Sequence, residues 1–332
     1  MKRRLLSYLA CPTCGSPFYA QSEIEDAEEI IDGSLQCRGC QASFAIIRGI
    51  PRFLPAELSA AKRATAAAFG YEWTHYSQLT DADREEFLDW IKPLDQSTFA
   101  NRVVLDGGCG KGRHLFLAAK MGATDAIGID LSDAVESAYQ NTRQLANAHV
   151  IQADIYHLPF LKTFDFVYSI GVLHHLPDPK AGFLSLVEHL KPGGRIAMWV
   201  YGKEGNRWIE LFVDPFRIYV TSKLPKLVTE ILSFFFALPL YIALKLIYAP
   251  AKRLPALKRG LPYADYLSAI SSYSFAENFW NVFDHLVAPT AFYHSRHEVE
   301  DWFATGKLTQ VEISSRNNNS WRGTGVTRTE PS

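Results

Sequence analysis

The fold of this chain is decided by one stretch, Val103-Val104-Leu105-Asp106-Gly107-Gly108-Cys109-Gly110-Lys111-Gly112-Arg113. Three apolar residues, two of them β-branched, predict a buried strand that ends at Asp106. Three of the following glycines stand at alternate positions, which is typical of a loop whose backbone passes close to a ligand. Residues 114–120 then follow a helical pattern. Together these features predict a strand, a glycine turn and a helix N-terminus, the corner on which nucleotides bind.

Acidic residues follow three successive predicted strands. Asp106 ends the first, Asp130 ends the strand 126–129, and Asp154 ends the strand 150–153. An acid about one βαβ unit after the glycine turn can accept hydrogen bonds from ribose hydroxyls. The order around the turn is D-x-G-x-G-x-G rather than the G-x-G-x-x-G of dinucleotide sites. Because a carboxylate there repels a pyrophosphate and attracts an ammonium group, the pattern favours S-adenosylmethionine, which has an α-amino group and no phosphate.

Five segments in order resemble the class I S-adenosylmethionine-dependent methyltransferases, with a methyltransferase type 11-like core. They are VLDGGCGKGRH, AIGIDLS, VIQADIYHLPF, FDFVYSIGVLHHLPDP and LKPGGRIAMWVYG, each at a predicted strand end. The resemblance covers roughly residues 100 to 201, with a weaker similarity near the C-terminus. It implies an α/β fold with a doubly wound, seven-stranded, Rossmann-like sheet. The alternative is a related fold that binds another nucleotide or none.

The same resemblance implies how the cofactor is held. Asp106 would hold the methionine amino group through backbone or water, Asp130 the ribose, and Asp154 the adenine amine, with Ile155 against the adenine ring. The remaining cofactor-binding residues implied in this way are Gly108, Gly110, Gly112, Leu131 and Ser169.

His174 and His175 follow the fourth predicted strand, 164–170, whose carboxyl end faces the reacting methyl group in this architecture. Methyl transfer is an in-line displacement that depends mainly on positioning the acceptor. A hydroxyl or acidic carbon would also need a base, and these histidines are the nearest candidates in sequence. A packing role at a helix start is the alternative for the pair. The N-P-P-Y signature of amino-methylating enzymes is absent from the sequence, which disfavours an exocyclic base nitrogen as acceptor.

Two C-x-x-C pairs near the N-terminus predict a structural zinc site. Cys11 and Cys14 form one pair, and Cys37 and Cys40 the other. Four thiolates complete a closed tetrahedral site, and this use of cysteine indicates a reducing cytoplasm rather than disulfides. A redox pair and a disulfide ribbon are the alternatives.

The segment that follows the second pair, residues 49–55, resembles the end of the small zinc-ribbon subunits that activate several methyltransferases, here fused in cis. A similar ribbon opens the guanine-N1 ribosomal RNA methyltransferases. Those carry a histidine-containing metal pattern from which this chain departs, and the departure weakens an RNA interpretation.

The chain divides into five predicted parts. They are a zinc ribbon (1–55), a helical connector (56–100), the methyltransferase core (101–201), an apolar helical insertion that acts as a substrate lid (202–290), and a C-terminal helix with the last two strands of the core (291–332). The connector is predicted to form helices over 58–69 and 81–90. Between them, Tyr71 or Trp73 is a candidate to cover the cofactor, with plain packing onto the sheet as the alternative.

The insertion contains an uncharged run, residues 231–244, bordered by lysines and arginines. The run is shorter than the roughly 20 residues that a transmembrane helix needs, and Pro239 is expected to interrupt it. Two interpretations stay open: a lid that packs on the core and lines the pocket, which we favour, and a helix pair on a membrane surface through 223–259. Because the preceding strand ends at the active-site edge, an apolar overhang predicts an apolar substrate.

The C-terminal part returns to the core. Four residues are candidates for the acceptor pocket: Asp284, His285, Tyr293 and His294. The last two strands are predicted over 309–313 and 325–328, antiparallel at the sheet edge.

The formal net charge of −1 and pI of about 6.8 show no basic bias towards nucleic acid. The leading prediction is therefore a methyltransferase acting on oxygen or carbon of an apolar small molecule or lipid-like acceptor, with no nucleic acid partner. A cytoplasmic location is expected, with peripheral membrane contact as an option. The alternative is an RNA or protein methyltransferase that uses the zinc ribbon for recruitment. A non-catalytic scaffold is disfavoured by the intact acids and glycines.

Overall fold

Short runs rich in β-branched and aromatic residues form the strands of a single sheet. The computed structural model describes residues 1–27, 29–55, 57–80 and 82–329. The strands in this part of the chain are β1 (Phe18–Asp26), β2 (Glu29–Cys37), β3 (Ser43–Ile47), β4 (Ile50–Phe53), β5 (Val103–Gly107), β6 (Asp125–Asp130), β7 (Ala148–Ala153), β8 (Phe164–Ile170), β9 (Leu190–Tyr201), β10 (Thr309–Arg316) and β11 (Ser320–Val326).

Helices cover both faces of this sheet and form the insertion after β9. They are α1 (Ala60–His75), α2 (Ala82–Trp90), α3 (Arg113–Lys120), α4 (Ala134–Thr142), α5 (Pro179–Glu188), α6 (Asp214–Tyr219), α7 (Lys226–Ala243), α8 (Ala249–Ala251), α9 (Pro255–Gly260), α10 (Ala264–Ile270), α11 (Phe275–Val287) and α12 (Arg296–Thr305). The predicted connector helices correspond to α1 and α2; position 81 lies outside the described residues.

The core sheet has the strand order β7-β6-β5-β8-β9-β11-β10. Strands β5 to β9 are parallel, and β11 pairs antiparallel with both β9 and β10. The predicted seven-stranded methyltransferase sheet is therefore confirmed. Because the strand order reverses between β5 and β8, a crevice opens outside the carboxyl ends of these two strands, where ligands bind in such folds.

The last strand begins earlier than the sequence predicted. β11 starts at Ser320 rather than at residue 325, and it pairs with β9 from Ser320 opposite Tyr201 to Val326 opposite Arg195. The predicted bounds are wrong because the buried partner strand sets the start of β11, and its alternating small and polar residues carry little strand signal of their own.

The zinc ribbon and the core share one sheet. Strand β4 pairs in parallel with β7, with Arg52 opposite Gln152 and Phe53 opposite Ala153. The full order is therefore β1-β2-β3-β4 followed by the seven core strands. No sequence pattern indicated this pairing, since it joins two short strands about 100 residues apart.

The insertion contains a longer helix than the sequence predicted. Helical structure runs from Lys226 to Ala251, passes through Pro239 without a break, and has a mean hydropathy of 2.0 in its most apolar window. The expectation of a run that is too short and interrupted is wrong, because the neighbouring turns extend the helix beyond the uncharged residues. By length and composition alone this helix could cross a membrane, but one such helix is weak support for a membrane protein.

Only 22% of that apolar window is buried. Helix α7 packs on α11, and its other face leaves Phe234, Phe235 and Phe236 exposed. The apolar run therefore lies on the outer side of the insertion, with α11 between it and the core.

Candidate active site

A cavity of about 650 Å³ lies at the carboxyl edge of the sheet. Its walls are the glycine turn after β5, the ends of β6, β7 and β8, helix α1, and helix α11 with the segment before it. This volume is in the range of small-molecule sites. The crevice predicted from the strand order is therefore roofed by the connector and the insertion.

The glycine turn can pass close to a ligand only because two positions lack a Cβ. Gly108 and Gly110 line the cavity with φ of +93° and +50°. A Cβ at Gly108 would lie 2.4 Å from Val172, and one at Gly110 would lie 3.3 Å from the Trp73 ring. The same contact places Trp73 of α1 over the turn. A covering role over the cofactor stays a prediction for this residue.

Asp130 is held at the rim of this turn. Its carboxylate accepts hydrogen bonds from the backbone N–H of Gly110 at 2.9 Å and of Ser132 at 2.8 Å, and Leu131 lines the cavity beside it. The Ser132 hydroxyl also donates to Oδ1 at 2.6 Å, so Oδ2, which accepts from Gly110, keeps a further lone pair for a ligand hydroxyl. Burial raises the pKa of Asp130. The position fits the ribose-binding role that the resemblance implied.

Asp106 lies behind the turn rather than on the cavity wall. It is 1% exposed, and neither carboxylate oxygen has a hydrogen-bond partner among the described residues. Burial raises the pKa of Asp106 to about 8. The role that the resemblance implies for Asp106, holding the methionine amino group through backbone or water, stays a prediction.

Two other predicted cofactor residues also lie behind the cavity wall. Ser169 is buried and donates a hydrogen bond to the Gly107 carbonyl at 2.7 Å. Gly112 begins α3, and a Cβ there would lie 2.9 Å from Ala138. In this structure both residues support the turn from behind.

Asp154 and Ile155 line the cavity at the end of β7. The Asp154 carboxylate accepts a hydrogen bond from the Tyr156 N–H at 3.1 Å and forms an ion pair with Lys62 of α1. The Lys62 ammonium also lies 4.2 Å from the centre of the Tyr156 ring. The carboxylate predicted to bind the adenine amine is thus paired with a lysine that the sequence did not indicate.

The two histidines occupy different environments. His175 lines the cavity, its Nδ1 lies 2.6 Å from the Thr290 carbonyl, and burial lowers its pKa to about 4. His174 lies behind it, stacks on Tyr201 at 3.9 Å, and has a pKa lowered well below its usual value by burial. Burial therefore favours the neutral form of both rings. Proton transfer by His175 stays a prediction.

On the acceptor side, the structure brings only one of four predicted residues to the cavity. Asp284 of α11 lines it. His285 stacks near Tyr201, and the Tyr293 hydroxyl donates to Asp214 at 3.3 Å. His294 is packed against the Trp302 ring. The last three residues lie outside the cavity wall.

The part of the cavity wall formed by α1, α2 and α11 carries charged and aromatic side chains beside its apolar surface. The cavity-lining residues that sequence reasoning missed here are Glu72, Glu86, Trp90, Lys111, Arg113, Tyr273, Trp280 and Arg316. Residues 231–244 do not contribute to the wall, whereas Ser272 to Asp284 of the same insertion do. A lid role for the insertion as a whole stays a prediction. Helical periodicity in α1 and α11 was the available signal, but without the packing of these helices it could not show which face meets the cavity.

The four cysteines of the ribbon come together. The Sγ atoms of Cys11, Cys14, Cys37 and Cys40 all lie within 4.8 Å of one another. Two of the separations are 3.6 Å, for Cys11 and Cys40, and 3.4 Å, for Cys14 and Cys37. A zinc–sulfur distance of about 2.3 Å gives a tetrahedron with edges of about 3.8 Å, so the cluster fits one zinc ion.

The strand order, the glycine turn and its acids define a class I S-adenosylmethionine-dependent methyltransferase with a fused zinc ribbon. Comparison with known families agrees: residues 104–194 match the methyltransferase domain family, and residues 2–49 match the Trm112p-like proteins. The chain thus contains both domains, and S-adenosylmethionine and structural zinc are its cofactors.

Curated relatives of this chain are named for the modification of tRNA. The tRNA U34 carboxymethyltransferase of Pseudoalteromonas translucida is 35% identical over 125 residues, which are 37% of this chain and 37% of that protein. The protein of the same name from a Shewanella species is 37% identical over 154 residues, 38% of this chain and 45% of that protein. The chain spans about two fifths of the length of these relatives.

Solved structures are similar to this chain at a lower sequence identity. A complex between the Haloferax volcanii Trm112 methyltransferase activator and a methyltransferase has 14% identity and a TM-score of 0.46, over 80% of this chain and 99% of that chain. Magnesium protoporphyrin IX methyltransferase from Synechocystis, with bound S-adenosylmethionine, has 13% identity and a TM-score of 0.45, over 82% of this chain and all of that chain. Similarity at this level supports no conclusion about the substrate.

These findings correct the expected substrate and partners. The leading prediction is an apolar small-molecule or lipid-like acceptor with no nucleic acid partner; membrane contact through 223–259 is an option beside it. The leading prediction is wrong, because the curated relatives are named for a tRNA nucleoside. The structure gives the physical reason for the error: the apolar run faces outward, whereas the cavity wall carries charged and aromatic side chains.

Proposed function

We propose that this protein transfers a methyl-type group from S-adenosylmethionine, or from a closely related sulfonium donor, to a nucleobase of RNA. A uridine of tRNA is the first candidate acceptor. The observation that carries this proposal is the similarity of the core to relatives named tRNA U34 carboxymethyltransferase. A cytoplasmic location, where tRNA is found, fits this proposal.

The acceptor side of the cavity supports a nucleobase. Trp73 and Trp280 offer aromatic faces on which an unstacked base can lie, and enzymes that modify bases place them in such pockets. Lys111, Arg113 and Arg316 add positive charge at the same wall, which suits a phosphate backbone.

The chain's own residues account for binding and orientation. S-adenosylmethionine supplies an electrophilic carbon on a cationic sulfur. Asp130 and the backbone of the glycine turn position the donor, and Trp73 above Gly110 excludes water from it. Because transfer is an in-line displacement, holding the acceptor base opposite this carbon is the main source of rate acceleration.

The test is transfer of label from methyl-labelled S-adenosylmethionine into RNA, protein, lipid and small-molecule fractions of a cell extract. We expect label in RNA, concentrated in tRNA and lost with Asp130→Ala. Digestion to nucleosides and mass measurement then identifies the base and distinguishes a methyl from a carboxymethyl group. Label confined to protein, lipid or small molecules would refute an RNA acceptor.

A further inference from the structure

Glu72 of α1 is a buried carboxyl at the cavity wall. It is 1% exposed, and its Oε2 has no hydrogen-bond partner among the described residues. An unpaired buried acid is costly, since burial removes its hydration. A ligand or a bound proton can therefore satisfy the unpaired Oε2 of Glu72.

Asp284 of α11 is a second carboxyl on the same wall and is partly buried. Its Oδ1 is shielded from solvent and has no hydrogen-bond partner in the described part of the chain. Burial, together with the nearby charge of Asp284, raises the pKa of Glu72 well above its usual value, and burial raises the pKa of Asp284 to about 6. The charge of Asp284 thus opposes ionisation of Glu72, and acids that interact in this way titrate together.

The surrounding cations do not neutralise this pair by direct contact. Arg113, Lys111 and Lys226 face Glu72, while Arg217 and Arg113 face Asp284, and each acts at longer range. Three of the four cations have other partners. The Lys111 ammonium donates to the Tyr76 and Gln78 carbonyls, Arg113 pairs with Asp83, and Arg217 pairs with Asp214.

We propose that Glu72 and Asp284 form a carboxyl pair that accepts the proton which the acceptor base releases during group transfer. This inference rests on the proposed function. The base O–H or N–H bond breaks and its proton moves to one carboxylate of the pair. The electron pair left on the base forms the new bond to carbon, and the carbon–sulfur electron pair returns to sulfur, which becomes a neutral thioether.

The pair suits this task better than the histidines. A base works best when its pKa is near the working pH. The Nδ1–H of His175 donates to the Thr290 carbonyl and burial lowers the pKa of this ring to about 4, whereas burial raises the pKa of Asp284 to about 6. In addition, Glu72 and Asp284 come from the two elements that roof the acceptor side, α1 and α11.

The experiment compares Glu72→Gln, Asp284→Asn and the double variant with wild type in methyl transfer to tRNA. We expect the double variant to lose about 10²-fold or more in kcat. Binding of S-adenosylmethionine, measured by calorimetry, should change less than twofold. The rise of wild-type kcat with pH should disappear in the double variant. Glu188→Gln, at an exposed position of α5, is the matched control.

A double variant with the kcat and pH profile of wild type would overturn the carboxyl pair while leaving RNA methylation intact. Absence of label from RNA with wild type would instead refute the proposed function. In that case, carboxyl ¹³C NMR of the full chain tests the carboxyl pair independently of RNA methylation. A signal lost in Glu72→Gln that titrates above pH 6, and shifts in Asp284→Asn, supports the pair; titration below pH 5 overturns it.

Discussion

Carboxylates at the ends of three neighbouring strands occupy different environments. Asp130 accepts two backbone hydrogen bonds at the cavity rim, Asp154 pairs with Lys62, and Asp106 is sealed beneath the turn. Three aspartates at equivalent strand ends thus differ in burial and in their hydrogen-bond or ion-pair partners, and these differences change how each can interact with a ligand. Each environment leads to a different expectation for donor binding.

Replacing Asp130 should weaken donor binding. Hydrogen bonds to a charged group contribute about 1.5–3 kcal/mol each, so Asp130→Ala is expected to lower the affinity for S-adenosylmethionine by about 10- to 100-fold. Calorimetry measures this directly. Asp301→Ala, at an exposed acid of α12, is the control and should bind as wild type does. Unchanged binding by Asp130→Ala would exclude a ribose-binding role.

Replacing Lys62 should strengthen donor binding. If Asp154 binds the adenine amine, the ion pair with Lys62 must first open. Since partly exposed ion pairs contribute up to about 1 kcal/mol, Lys62→Met is expected to raise the affinity by up to about fivefold. Lys180→Met, in an exposed pair with Asp301, should have no effect on binding. A weaker affinity in Lys62→Met would show that the lysine itself contacts the donor.

At the scale of elements, the junction between β4 and β7 joins the ribbon to the core. Glu136 of α4 accepts from both Arg48, which is 67% exposed, and Arg52, which is 10% exposed. Burial acts to raise the pKa of Glu136, yet the two arginines outweigh it and hold the pKa below its usual value. The two arginines therefore stabilise the ionised form of Glu136. The buried Arg52 should contribute more to the stability of the fold than the exposed Arg48.

We expect Arg52→Ala to destabilise the protein by about 1–3 kcal/mol, because it leaves buried polar groups unpaired. Arg48→Ala, which removes an exposed partner of the same carboxylate, should cost no more than about 1 kcal/mol. Chemical unfolding followed by circular dichroism measures both. Equal losses in the two variants would contradict the importance of burial at this junction.

The Arg52 effect should also depend on pH. Because the folded pKa of Glu136 is lowered, the stabilisation is fully present above the unfolded value of about 4.5. It is lost as pH falls through the lower folded pKa. The difference in stability between wild type and Arg52→Ala should therefore shrink below pH 4.5. A difference that stays constant from pH 7 to pH 3 would argue against the ion pair.

At the scale of the whole molecule, one sheet of eleven strands runs from the zinc ribbon to the C-terminal hairpin. Arg52 and Phe53 of the ribbon pair with the end of β7. Asp154 of the cavity directly follows β7. Folding of the ribbon can therefore affect the donor site through the shared sheet.

Removal of zinc should affect both domains. We expect one zinc per chain by elemental analysis, and a strong chelator should unfold the ribbon, since the metal provides much of its folding free energy. Through β4, the affinity for S-adenosylmethionine should also fall. Chelator already saturated with zinc is the control. A metal-free preparation with native circular dichroism and native affinity would refute the coupling.

The sequence by itself determined the local features of this protein. The glycine turn at Gly108 and Gly110, the acid at Asp130 and the four cysteines are short-range patterns, and each depends on backbone geometry or ligand chemistry within a few residues. Five parallel strands were predictable for the same reason, since each is a buried apolar run that ends at a turn.

Only the tertiary structure decided what faces the cavity. The pairing of β4 with β7, the ion pair of Lys62 with Asp154, and the placement of Glu72 and Asp284 on one cavity wall join residues about 90 to 210 positions apart. The apolar run 231–244 predicted an apolar substrate, yet it faces outward because α11 lies between it and the core. Periodicity shows that a helix has an apolar face, but the packing of its neighbours decides where that face points.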